Sequence, residues 1–468
     1  MISKQSVKQA LGIDTIAVSD IMAEKISLWS DMYRNEAPWL IDSKRGLSLP
    51  AAISSDIARA VTIEMVLTIE GSARADWLEE QIKPLMPQIR QWVEFGAAKG
   101  GFVLKPYVQD GRGFITCVQA DSFYPIRFNI AGELTSAVFV DQQHIGNHYY
   151  TRLELHDMGM NSCKIYNRAF RSGDSSTLGS EIPLTDVPVW ADMEADAEIV
   201  NINKPLFAYF RYPLANNIDT KSHLGVASFS RAVDLIKQAD EQWQNFLWEF
   251  ESGQRALYVD QLAFGVDSDG KPVLPHKRLY QLLDAGGQDD ALFKEWTPDL
   301  RQTDILEGLD AILKRIEFLC GLATGTLSNP QFIDRTATEL KMSHQRTFAT
   351  VVDSQKMLEQ TLEHVIYAMD VWASIYNAAP KGVYQVTAQF DDSVVVDRDS
   401  QFQSHLRLVS EGIMSKVEWR MTNLNESREV ATKAVKEAME ETIAHENMIF
   451  EMELKNKALN QPVGNNAE

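Results

Sequence analysis

The sequence predicts a mixed α+β chain, mainly α. Three observations carry the prediction. Apolar residues recur at helical spacing before residue 100 and again after about 223. The block between alternates apolar and polar residues at a period of two, and turn dipeptides punctuate it. The chain has 468 residues, 45% hydrophobic and 24% charged, enough for two or three domains with substantial cores and too apolar for extended disorder.

Residues 1 to about 100 read mostly as helix. "SDIMAEKISLWSDMY" places Ile21, Ile26 and Trp29 at helical spacing, with Ser19 or Asp20 as its cap. "LPAAISSDIARAVTIEM" continues in the same style. "ADWLEEQIKPLMPQIRQWVEFGAAKG" is a third helical stretch, broken by Pro84 and Pro87 and ended by Gly96 or Gly100. From 101 an antiparallel meander is expected, with turns at Asp110-Gly111, Ala131-Gly132 and Gly146-Asn147.

Helical periodicity returns at about 223. Val226, Phe229, Val233, Ile236, Trp243, Leu247 and Phe250 form one stripe that Gly253 stops. A helix of about 27 residues would span roughly 40 Å. Residues 254–300 read as a small inserted module, with "RALYVD" as a strand and "DSDGKP" as a turn. A second long helix carries Ile305, Leu309, Ile312, Ile316 and Leu319, with Asp304 and Glu307 as its expected capping pair. A third opens on a capping box, Thr336 to Glu339, and runs to about Ala378, where Pro380 and Gly382 end it. Its β-branched "TFATVVDS" invites a bend. "KGVYQVTAQFDDSVVVDRDS" reads as strand, turn, strand. The tail is helical, with a capping box at Ser415 and Glu418 and a narrow stripe of Val430, Ala434, Ala438 and Ile443. "NQPVGNNAE" is expected to be disordered.

The formal net charge is −20 and the pI about 4.9. Such a field repels nucleic acid on average, and charge alone decides little about function. Cys117, Cys163 and Cys320 are widely spaced and form no CxxC pair, so free thiols in a reducing setting are expected, without a zinc site or disulfide framework. The first twenty residues lack the apolar core of a signal peptide, and no window approaches ~18 apolar residues. A soluble protein without a membrane partner is therefore expected.

No nucleotide-binding, serine-hydrolase or zinc-protease motif occurs. His144, His148 and His156 cluster around a hairpin, but Gly146 interrupts a common face. Asp391, Asp392, Asp397 and Asp399 form the best enzyme candidate, since clustered carboxylates can hold Mg²⁺ for phosphate-ester hydrolysis. The same residues also fit a strand end and a helix start. A metal-dependent phosphohydrolase is thus one alternative, and a non-catalytic helical adaptor another. Long amphipathic helices, an inserted module and no catalytic constellation suit a component of an assembly.

Five segments in chain order carry a resemblance. They are "HYYTRLELH" (148–156), "LGVASFSRAVDLIKQADEQWQNFLWEFESGQRALYV" (224–259), "FLCGLATGTLS" (318–328) followed by "RTATELK" (335–341), "FDDSVVVDRDSQFQ" (390–403) and "VSEGIMSKVEWR" (409–420). With the helix–insert–helix–loop–helix layout they resemble the portal protein of tailed bacteriophages, in the long-tailed type. The resemblance implies a non-enzymatic subunit of a ring, usually a dodecamer, at one capsid vertex. It implies a wing in residues 1–225, a first stem helix in 226–253 and a clip in 254–300. A second stem helix in 301–322, a tunnel loop in 323–336, a long wing helix with a strand pair in 337–399 and a helical crown with its tail in 400–468 complete it.

Implied partners are further copies of the chain, double-stranded DNA in transient contact, and the terminase large subunit. Major capsid, scaffolding and head-completion proteins are implied too, first in the host cytoplasm and then in the virion. No cofactor or metal is implied. The loop residues expected to approach DNA are Thr324, Gly325, Thr326, Leu327, Ser328, Asn329, Pro330 and Gln331. Lys314 and Arg315 are the candidate channel cations, with exposure or pairing to a neighbouring subunit's acids as the other reading. The loop's small, uncharged residues suit contact without retention.

Overall fold

The computed structural model describes residues 2–40, 46–63, 65–253, 256–260, 280–283, 293–296, 299–329, 337–390 and 398–424, with 426, 428, 430–441, 448 and 452. The chain divides into two compact units, residues 1–390 and 391–468.

In the first unit, helices α1 (Lys4–Leu11), α2 (Asp20–Tyr33) and α3 (Leu49–Thr62) open the chain. The Ser19 hydroxyl caps α2, accepting from the Met22 N–H at 3.3 Å. The buried stripe of α2 is Met22, Ile26, Trp29 and Met32, while the expected Ile21 lies 58% exposed, one position off the stripe. Pro84 and Pro87 start segments instead of breaking one. After α4 (Ala73–Ile82) a 3₁₀ turn (Lys83–Leu85) leads into α5 (Met86–Lys99), and each holds its proline in the first turn, where no N–H is needed. Gly100, at φ 88°, closes α5.

The expected single meander is two sheets. Strands β2 (Gly101–Gln109) and β3 (Arg112–Gln119) form a hairpin whose turn residues Asp110 and Gly111 both have positive φ. The other edge of β2 is taken by β10 (Ala208–Arg211), so β4 (Phe123–Phe128) starts a second sheet. That sheet runs β4–β5–β6–β7–β8, with β5 Leu134–Ile145, β6 His148–Met158, β7 Ser162–Ser172 and β8 Ser180–Ile182. Strand β9 (Asp196–Val200) pairs with the other end of β7. One further strand has no clear signature in the sequence. β1 (Val66–Glu70) pairs antiparallel with β14 (Gln385–Gln389), joining chain segments more than three hundred residues apart.

The principal core joins α2, α3, α5, the β10–β2–β3 sheet and α8 (Ala337–Ile375). At its centre the Phe102 and Phe210 rings stack at 4.7 Å, and Gly96 of α5 lies against both. The predicted helix from 226 starts later. Residues 224–227 are irregular and 228–231 turn, burying Val226 and Phe229, with the Ser228 N–H donating to the Ala97 carbonyl at 2.8 Å, and α6 spans Val233–Ser252. Docking on α5 takes the backbone that a helix would have used.

Helix α7 (Gln302–Cys320) packs on α6. The Arg301 N–H and guanidinium, not the expected Asp304–Glu307 pair, mark its start by donating to Glu249 at 2.9–3.2 Å. Of the insert between them, three strands are described: β11 (Ala256–Asp260), β12 (Tyr280–Leu283) parallel to it, and β13 (Phe293–Trp296) antiparallel. The expected turn at 267–272 lies outside the described residues.

Helix α8 continues through "TFATVVDS", where the Thr350 and Ser354 hydroxyls donate to carbonyls one turn back. It ends with Asn377 at φ 51° and the Ala378 N–H bonded to the Ala373 carbonyl, before Pro380 is reached. The Thr336 cap lies outside the described residues.

The second unit contains α9 (Arg398–Ser410) and α10 (Lys416–Leu424), with helical residues again at 430–441. The Ser415–Glu418 box forms as expected: the Glu418 N–H donates to Ser415 Oγ at 3.1 Å and the Ser415 N–H to the Glu418 carboxylate at 2.9 Å. The expected stripe is displaced, with Ala431 buried and Val430 exposed. The tail from 453 and Ile443 lie outside the described residues.

Candidate functional site

The last turns of α7 set the geometry of the loop that follows. Leu309, Ile316 and Cys320 face the core, and Glu317 beside them is fully buried. A carboxylate near a helix C-terminus opposes the helix dipole, so it requires another partner. The partner is the loop. Gly321, at φ 73°, reverses the chain, and the Leu322 N–H bonds the Glu317 carbonyl at 2.9 Å. The Glu317 carboxylate then accepts the N–H groups of Gly325 at 3.1 Å, Leu327 at 2.6 Å and Ser328 at 2.8 Å, and the Ser328 hydroxyl at 3.0 Å. Two turns back, Asp310 accepts the Asn329 N–H at 2.8 Å. Successive backbone N–H groups thus wrap an internal anion, an arrangement akin to an anion-binding nest. Gly325, at φ 97°, supplies the backbone this curvature demands.

Over its described part, residues 323–329, the loop is thus fastened through its backbone. Thr324, Thr326 and Asn329 are exposed, Gly325 is half-buried, Leu327 packs on the core and Ser328 is buried. The Thr326 hydroxyl and N–H both return to the Ala323 carbonyl. Pro330 and Gln331 lie outside the described residues. A cavity of about 270 Å³ opens under the loop between α3 and α8, lined by Ile57, Ala60, Leu322, Thr326, Thr350 and Val351.

The two candidate cations separate. Lys314 pairs with Asp310 on its own helix at 2.8 Å, one turn away, and both Lys314 and Asn329 pull the Asp310 carboxyl below its ordinary range. Arg315 lies over the Phe318 ring at 4.8 Å, and Arg346 of α8 lies over the same ring at 3.9 Å. Sequence reasoning misses Glu317, Asp310 and Arg346. The acid in the last turn of α7 is the one readable signal for the first.

Among the described residues the other candidates are not brought together. Asp391, Asp392 and Asp397 lie outside the described residues, and Asp399 falls within α9. His144 stacks on Tyr149, His148 sits opposite Ile145, and His156 is buried deeper along the strand. His156 belongs to a buried ion cluster around Glu154, which accepts from Lys105 at 2.5 Å, Arg152 at 2.9 Å and His156 Nε2 at 2.7 Å. Burial works to raise the Glu154 carboxyl, but Lys105, His156 and Arg152 overcome it and hold Glu154 well below the carboxylate range. Burial lowers His156 against the opposing pull of Glu154. No described helix is long and apolar enough to cross a membrane.

Comparison with known proteins gives one family. The profile described as "Phage portal protein, SPP1 Gp6-like" matches residues 87–444. That span takes in both sheets, α6 to α8, the loop and the start of the second unit. No curated protein sequence matches the chain. Among solved structures, a chain of the "Neck of native GTA particle computed with C12 symmetry" is similar at 10% identity and a TM-score of 0.42. The match covers 90% of this chain and 99% of that one.

Proposed function

This chain belongs to the phage portal protein family of the SPP1 Gp6-like type, and from that membership we propose that it is one subunit of a ring, a dodecamer in our reading, at one capsid vertex of the virion. The ring passes double-stranded DNA during packaging and ejection. It docks the terminase large subunit and later the head-completion protein, and it is set in the shell by capsid and scaffolding proteins in the host cytoplasm. It carries out no catalysis of its own.

In this reading α6 and α7 are the stem pair and the insert between them, residues 254–300, is the clip. Residues 1–225 are most of the wing, α8 is the long helix crossing it, and residues after 400 are the crown. Exposed Trp248 and Phe250 on α6 and Leu306 on α7 support a head-to-tail interface between copies.

The observation that carries the reading is the loop itself. Its exposed residues Thr324, Thr326 and Asn329 are polar and uncharged, and its backbone is fastened to Glu317 and Asp310. A surface that must touch a moving polyanion without retaining it requires neutral polar groups on a firm base, since each lysine or arginine on a phosphate adds a salt-dependent hold. Native mass measurement tests the ring: a monomer or dimer at every salt and protein concentration overturns it. Thr326→Lys tests the loop, because Thr326 is exposed and the change leaves the core untouched. Rings should form normally while DNA packaging falls, and normal packaging removes the loop from the mechanism.

A further inference from the structure

In a chain with twenty more acidic than basic residues, Arg315 and Arg346 stand out by what surrounds them. Neither has an acid three or four positions away on its own helix: Arg315 has Ala311, Ile312, Phe318 and Leu319 there, and Arg346 has Met342, Ser343, Ala349 and Thr350. Among the described residues neither forms a salt bridge. Both are exposed, and both lie over one half-exposed ring, Phe318. Stacking on an aromatic face holds the guanidinium plane while leaving its in-plane N–H edges unspent. Two guanidinium groups gathered at one ring, from two helices, leave donor edges free for a phosphate. Among the described residues the neighbouring charges do not compete: Asp310 is held by Lys314 and the Asn329 N–H, and Glu317 is buried under the loop. The site lies on the turn of α7 that leads into that loop.

We propose that Arg315 and Arg346, splayed over Phe318, form a contact site for the phosphodiester backbone of double-stranded DNA. The proposal rests on the portal reading for its ligand and adds to it the few cations that meet DNA in an otherwise repelling protein. Lys314, the other candidate, has no part in it.

The test is the salt dependence of binding of a labelled 30-base-pair duplex by the full-length protein, with its assembly mass measured in parallel. Each phosphate contact accounts for a factor of about 3–4 in affinity between 50 and 200 mM salt. Arg315→Gln/Arg346→Gln should therefore remove about tenfold of the native protein's loss over that range. Phe318→Leu, which keeps both charges, should remove part of it, and Arg90→Gln, an exposed arginine elsewhere, should remove none. The same salt dependence in the double variant as in the native protein overturns the proposal. So does an altered assembly mass with unchanged DNA binding, which would assign the pair to a neighbouring subunit's carboxylates. Inorganic phosphate competing as well as duplex, phosphate for phosphate, would assign the site to a free anion and overturn it as well. A native protein that never forms rings but shows the expected difference refutes the ring and leaves the phosphate site standing.

Discussion

Replacing Glu317 by Gln is the sharpest probe of how the loop is held. The amide matches the carboxylate in size but not in charge or in acceptor capacity. Its oxygen can still receive the Leu327 and Ser328 N–H groups, which lie 2.6 and 2.8 Å from the native carboxylate. Its NH₂ takes the place of the second oxygen, which the Gly325 N–H and the Ser328 hydroxyl approach at 3.2 and 3.0 Å. The hydroxyl can turn and accept, and the Gly325 N–H, shared between the two native oxygens at 3.1 and 3.2 Å, keeps only the remaining one. A hydrogen bond to a charged acceptor contributes about 1.5–3 kcal/mol and a neutral one about 0.5–1.5, so three N–H bonds each weakened by up to about 1 kcal/mol amount to about 2–3 kcal/mol. The loss falls on the loop, because Ile316 and Cys320 keep α7 in the core. Hydrogen exchange reads it directly. The Leu327 and Ser328 amides should exchange about 30–100-fold faster, tenfold for each 1.4 kcal/mol, while amides of β6 and β7 should not change. Loop amides within threefold of native would refute the latch, and equal acceleration across the core would show that Glu317 supports the whole fold instead.

Leu327→Asp should destabilise the protein as well as alter the loop, because Leu327 packs on the core; urea melts should separate it from Thr326→Lys, which should stay within about 0.5 kcal/mol of native. Gly96→Ala would bring a methyl within 2.9 Å of the Phe102 and Phe210 rings, an overpacking worth about 1–3 kcal/mol in thermal unfolding. Glu154 is depressed in the fold, so its stabilising effect is full above the unfolded value of about 4.3 and is lost as pH falls through the lower folded value. Glu154→Gln should flatten that acid limb in urea melts and cost about 3–5 kcal/mol at neutral pH by stranding Lys105 and Arg152. Burial pushes the thiols of Cys163 and Cys320 up to about 12, so alkylation at pH 8 should be slow in the native protein and fast in urea.

Several local features are legible in the amino-acid sequence alone. Gly100 ending α5, the Asp110-Gly111 hairpin, the Ser19 cap and the Ser415–Glu418 box all depend on residues within one turn of each other. The steric and hydrogen-bonding rules that set them act over that same distance. The α7 stripe is legible for the same reason, and the order of such elements carries the family resemblance, which the match over residues 87–444 bears out.

What the tertiary structure alone decided are the meetings between distant segments. β1 finds β14 across more than three hundred residues, and β10 takes the free edge of β2, splitting the meander into two sheets. Residues 226–232 give up helical periodicity to dock on α5. Arg346 comes to Phe318 from a separate helix, and the loop's composition, which suggests a mobile tip, leads instead to a backbone wrapped around a buried carboxylate. Glycine, serine and threonine permit many conformations. Which one is kept depends on which buried acceptor the fold brings beneath them, because an unpaired buried carboxylate costs more than the entropy of ordering a short loop.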